Sequence, residues 1–172
     1  MICWDRCGQS GYVGVFSRHE ITVLDSYVTG LLDLIEHRTA SYAAIAVGAG
    51  REVHVPTAAA EDPRIIAILE DEVGVDEPDW VLTISEGPCL FRARDLLALM
   101  RSTMPGGDSV VHLRSRDEAD AWLQCVQYFL SSITGAADLE GRVKGKNVIP
   151  TVTWLSEVSS TLRLAVARTV TV

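Results

Sequence analysis

Twice in this chain a short β-branched run is followed at once by a helix-starting signature, and that repetition restricts the fold more than any other feature. Tyr12-Val13-Gly14-Val15-Phe16 leads into Ser17-Arg18-His19-Glu20, and Val110-Val111-His112-Leu113 leads into Ser115-Arg116-Asp117-Glu118. Each Ser-x-x-Glu is a capping box: the serine hydroxyl accepts from the backbone three residues on, and the glutamate reaches back to the cap. The first predicts a helix starting at Arg18, with Ile21, Leu24, Tyr27, Val28, Leu31, Leu32 and Ile35 at three- and four-residue steps through about His37. Gly30 lowers propensity inside it, and a close crossing by a neighbour would account for the glycine. The second predicts a helix with Ala119, Trp122, Leu123, Val126, Phe129, Leu130 and Ile133 on one stripe, ended by Gly135. The two runs, 12–16 and 109–113, are expected to pair as a minor sheet.

Between these units the signals are weaker. Residues 39–60 contain Gly48, Gly50 and Pro56 and read as a variable loop, with Val53-His54-Val55 its one strand-like piece. Asp62-Pro63 is an N-cap followed by N1 proline, opening a short helix through Ile66, Leu69 and Val73. Trp80-Val81-Leu82-Thr83-Ile84 reads as a strand, and Glu86-Gly87-Pro88 introduces a helix carrying Leu90, Ala93, Leu97, Met100 and Met104 that Pro105-Gly106-Gly107 ends. A glycine-containing basic connector then precedes a last amphipathic segment after Pro150, with Trp154, Leu155, Val158, Leu162, Ala165 and Val166. The expected fold is α+β and predominantly α-helical: five or six helices with a small two- or three-stranded β element. It divides into a cysteine-bearing segment (1–11), a helical core (12–138) and a basic connector with the final helix (139–172).

A chain of 172 residues with 48% hydrophobic and 22% charged residues can bury a core without metals or crosslinks. Its apolar runs are interrupted by charge before a bilayer-spanning length, and a basic region followed by an apolar leader is missing, so a cytoplasmic protein is expected. The net charge of −8 disfavours attraction to a phosphate backbone. Direct nucleic-acid contact is therefore expected only through the basic tail, where Arg142, Lys144, Lys146, Arg163 and Arg168 outnumber Glu140 and Glu157. Within 61–86, nine acids face Arg64 alone, which suits either a docking face for a basic protein or a solvated surface. No catalytic signature stands out and no cofactor is expected. Metal binding by Cys3 and Cys7 with His19 or His37 lacks a second ligand pair, the acids Asp76 and Asp79 read as solvated, and Gly106-Gly107 reads as a turn.

The chemistry that remains is Cys3-Trp4-Asp5-Arg6-Cys7. Two thiols four residues apart can close a small disulfide if the segment forms a turn, and so short a loop gives a bond that is easily reduced. Arg6 favours the Cys7 thiolate and Asp5 opposes it. Trp4, between the thiols, reads as an exposed anchor for a partner, released or buried by oxidation. Against this stands the plain alternative that both cysteines sit on a frayed terminus and do nothing. Cys89 and Cys125 lie on or beside apolar helix faces and are expected to be inert packing.

The stretches from Tyr12 to Arg38, the Asp62-Pro63 helix start, and Arg92 to Leu123 together resemble the actinobacterial AosR-like family of oxidative-stress regulators, formerly listed as a domain of unknown function. The resemblance covers more than half the chain. It implies a regulator and not an enzyme, working through protein contacts with an alternative sigma factor as one partner class, and switched by a reversible disulfide of C-x-x-x-C spacing, here Cys3–Cys7. The alternative is an adaptor or structural partner that uses the same surfaces without redox chemistry.

Overall fold

The computed structural model describes residues 4–8, 10–74, 78–107, 109–140 and 148–168. A three-stranded antiparallel sheet is built from β1 (Trp4–Cys7), β2 (Gly11–Val15) and β5 (Val110–Leu113), with β2 in the centre. The pairing of the two β-branched runs is as expected, with Tyr12 opposite Leu113 and Val15 opposite Val110. The cysteine-bearing segment adds a third strand: Trp4 pairs with Gly14 and Cys7 with Gly11. A four-residue strand with one apolar residue has no alternation to read, so its sequence gives no sign of it.

Among the described residues there are five helices: α1 (Arg18–Thr39), α2 (Pro63–Val73), α3 (Asp79–Thr103), α4 (Arg116–Glu140) and α5 (Val148–Ala167). α1 starts at the first capping box, with both reciprocal bonds of Ser17 and Glu20 present. In the second, Glu118 N–H donates to Ser115 Oγ at 3.2 Å, while the Glu118 carboxylate accepts from Arg114 N–H, one residue before the cap. Asp62 caps α2 through Arg64 N–H, and the Arg64 guanidinium hydrogen-bonded to Asp62 holds its carboxyl below the usual range. The helices share one core, in which Leu24, Val28 and Ile35 of α1, Ile65 and Ile68 of α2, Leu97 and Met100 of α3, Trp122 and Phe129 of α4, and Leu155 and Leu162 of α5 are almost wholly buried.

Three expectations are corrected. Residues 80–84 are helical, because α3 begins at Asp79 and runs through Gly87 and Pro88. A short apolar run cannot be assigned to strand or helix by pattern alone. Pro88 cannot donate to the Ile84 carbonyl, and Ile84 is 58% exposed, where solvent reaches it. A Cβ on Gly87 would stand 2.7 Å from the His54 carbonyl oxygen, so Gly87 serves a close approach and not a helix end. The backbone it approaches belongs to a hairpin, β3 (Ala43–Val47) and β4 (Arg51–Val55), where a loop was expected. Alanine-rich β3 has low strand propensity, which hid it. Lastly, α4 continues past Gly135 as far as Glu140; a Cβ there would make only ordinary contacts with Ala67 and Pro63 of α2.

Gly30 is exposed, and a Cβ on it would meet nothing within 4 Å, so no neighbour crosses closely there. Gly30→Ala should therefore raise stability by about 0.5–1 kcal/mol, the usual gain when a helix-interior glycine is replaced without steric conflict. Urea denaturation with an unchanged m-value checks this.

Candidate functional site

Strand alternation sends the side chains of β1 to opposite faces. Trp4 turns inward and is 3% exposed, which corrects the expectation of an exposed anchor. Its ring meets Phe16 edge-on at 5.6 Å and Trp122 edge-on at 5.5 Å, and the latter two are 5.9 Å apart. Trp122 is itself fixed, its indole N–H donating to Thr103 Oγ1 at 2.7 Å. Trp4 Nε1 is buried without a hydrogen-bond partner. Its burial is thus a compromise: truncating a core tryptophan costs about 3–5 kcal/mol, and an orphaned buried donor gives back about 1–3 kcal/mol.

Two glycines of β2 make room for this strand. A Cβ on Gly14 would lie 2.8 Å from Trp4 ring carbons, and one on Gly11 would lie 2.8 Å from the Cys7 carbonyl and 3.1 Å from that of Leu113. β1 therefore docks in a fitted slot floored by Gly14, Phe16 and Trp122, and α5 packs against it from the helical side. Sequence reasoning placed Trp122 in the core but missed its link to Trp4, and nothing in the glycine pattern of Gly11-Tyr12-Val13-Gly14 marks a slot.

Cys7 ends β1, exposed and unbonded, on the face away from Trp4. Cys3 lies outside the described residues. Arg6 is exposed on the Trp4 side of the strand, so alternation separates it from the Cys7 side chain although the two are neighbours in sequence. Covalent geometry limits what the thiols can do while β1 is docked. Trp4 to Cys7 spans about 10 Å of extended chain, and residue 3 is bonded about 3.8 Å from Trp4 between Cα atoms. A disulfide needs its two Cα atoms about 4.4–6.8 Å apart, a separation that a turned segment provides and one carried on by an extended strand does not.

The family described as a domain of unknown function, DUF2017, matches residues 1–128. The chain belongs to this family. The match takes in the β1 slot whole and stops within α4, leaving α5 outside. No curated protein and no solved structure matches the chain.

The other two described thiols of this DUF2017 protein are placed differently. Cys125 is fully buried and its thiol is pushed strongly upward by burial; Cys89, half-buried on α3, is raised by burial and then by Glu72. Both stay protonated at neutral pH and are poor nucleophiles. Two acids of the 61–86 stretch are also internal. Glu86, 2% exposed, accepts from Arg38 at 2.5 and 3.1 Å and from Tyr42 at 2.8 Å, and Glu72 accepts from Arg92 at 2.8 Å and from Tyr128. The bond to Glu86 raises the Arg38 guanidinium, while burial and then the same carboxylate raise the Tyr42 phenol. These acids tie α1 to α3 and α2 to α4, so they are not part of any docking face. Among the described residues no three His, Cys, Asp or Glu side chains form a metal cluster, and no helix is long and apolar enough to cross a membrane.

Gly14→Ala should dislodge the Trp4 ring and destabilise the protein by about 1–3 kcal/mol, the usual range for overpacking a core. In a Trp4→Ala background the same change should cost much less. A double-mutant cycle by urea denaturation measures the coupling.

Proposed function

We propose that this DUF2017 protein is a redox-responsive transcriptional regulator that acts through protein contacts, with Cys3 and Cys7 as its reversible couple and the docking of β1 as its output. The observation that carries the reading is the conflict between disulfide closure and the docked strand. Bonding Cys3 to Cys7 requires the chain between them to turn, and an extended β1 holding Trp4 in the core does not turn. Oxidation then releases β1, withdraws Trp4, and uncovers the edge of β2 and the aromatic floor beneath it.

The chemistry balances with a hydroperoxide as oxidant. One thiolate attacks the peroxide oxygen; the O–O bond breaks, a sulfenic acid forms and water or an alcohol leaves. The second thiol displaces the hydroxyl as water, the S–S bond forms, and the two thiols have given up two electrons. Arg6, held on the opposite face of docked β1, reaches Cys7 once the strand loosens and favours its thiolate. Undocking opposes oxidation. Each 1.4 kcal/mol of strand docking makes the couple more oxidising by about 30 mV, which keeps the disulfide reversible in a reducing cytoplasm, the compartment this reading requires.

The resemblance to AosR-like oxidative-stress regulators supports the assignment, and with it comes an alternative sigma factor as the partner class. A buried Trp4 changes the expected output: the indole becomes available on oxidation and is hidden when the thiols are reduced.

Mild peroxide should shift the intact mass by the loss of two hydrogens, with peptide mapping assigning the bond to Cys3–Cys7 and leaving Cys89 and Cys125 as thiols. Amide exchange across Trp4–Cys7 should rise at least tenfold on oxidation and stay unchanged in Cys3→Ser/Cys7→Ser. Protection retained after oxidation would sink the proposal, as would partner capture equal for the parent and the double serine variant, the behaviour of a non-redox adaptor.

A further inference from the structure

The two sheets differ in what they present at their outer edges. β1 carries Asp5 and Arg6, and charged side chains are a common means of keeping sheet edges from pairing. β3 has no such protection. Its sequence is Ala43-Ala44-Ile45-Ala46-Val47, without charge, proline or bulge, and its two-stranded sheet is ordered β3-β4. The β4 side of the hairpin leans on α3, where Gly87 approaches the His54 carbonyl. That leaves β3 as the outer edge: Ala43, Ala44 and Ala46 are exposed and Ile45 is 49% exposed. Ile84, one turn before Gly87 on α3, adds a second exposed apolar side chain on the helix face that carries the hairpin.

We infer that β3 is a self-association edge, pairing antiparallel with β3 of a second copy to make a continuous four-stranded sheet. The edge is complementary to itself. A two-fold axis through Ile45 sets Ala43 against Val47, Ala44 against Ala46 and Ile45 against its own copy, and no like charges meet although each chain carries a net charge of −8. A charged partner strand would find no counter-charge on β3, whereas a second β3 meets it with the same uncharged row in register. The pairing satisfies backbone groups that a lone hairpin leaves to water, and a two-stranded hairpin is marginal without a further strand or a packed face. This inference does not rest on the thiol chemistry, and its test is done under reductant.

Sedimentation equilibrium from 10 µM to 1 mM, on the full chain with reductant present, should show a monomer–dimer equilibrium within this range, as a small, weak interface gives. Ile45→Lys, at an exposed position, should weaken it at least tenfold while leaving the thermal transition within a few degrees. Ala46→Glu, a second exposed site, should do the same and guards against a local folding defect in the first variant. Directly opposed antiparallel residues have Cα atoms about 4.5–5.5 Å apart, within disulfide reach. Ile45→Cys in a Cys3→Ser/Cys7→Ser background should therefore crosslink to a covalent dimer under mild oxidation, and Ile84→Cys should not. A monomer throughout the concentration range overturns the inference. So does a dimer indifferent to both charge substitutions, or one whose β3 amides exchange no more slowly at high concentration than at low.

Discussion

The aromatic contact of Trp4 with Phe16 and Trp122 is the joint on which the arrangement turns. Phe16 closes the strand-to-helix corner ahead of α1, Trp122 belongs to α4 and is tied to α3 through Thr103, and Trp4 is the one contribution of β1 to the core. Sheet and helices meet at this point. The helical body has other supports, since the Arg38–Glu86–Tyr42 and Glu72–Arg92–Tyr128 networks fasten α1, α2 and α4 without it. β1 is held by this contact, by its ladder to β2 and by its packing on α5, and as a four-residue edge strand it is the element best placed to leave while the body stays folded.

That asymmetry is what the proposed switch relies on. Trp4 contributes a few kcal/mol of burial less the penalty for an indole N–H with no acceptor, a balance small enough for thiol chemistry to reverse. Had the indole been satisfied by a hydrogen bond, the strand would hold more firmly and the couple would need a stronger oxidant. The same slot geometry explains why Gly11 and Gly14 stand in a run otherwise suited to bulkier strand residues.

Much of the fold was legible because its signals are local. The Ser17 and Ser115 capping boxes, Asp62-Pro63, and the apolar stripes of α1 and α4 each lie within a few residues of the structure they specify. What was not legible depends on partners distant in sequence. Ala43–Val47 is a strand only because it pairs with Arg51–Val55, residues 80–84 are helical as the first turns of a helix that continues through Pro88, and Gly87 is explained by a carbonyl thirty-three positions earlier. The candidate site divides in the same way. Spacing singles out Cys3 and Cys7, whereas the burial of Trp4 follows from Gly14, Phe16 and Trp122, none of which looks functional alone. Glu72 and Glu86 belong to an acidic stretch whose charge count gave no hint that two of its members are internal.

The most direct test is the reduction potential of the proposed Cys3–Cys7 couple in the parent and in Trp4→Ala, measured by equilibration in glutathione buffers. If docking of β1 opposes the disulfide, removing the indole makes the couple easier to oxidise, and its potential falls by roughly 30–60 mV, equivalent to about 1.4–2.8 kcal/mol of lost docking. Equal potentials in the two proteins would contradict the account, because they would mean that the sulfurs bond without disturbing the strand between them.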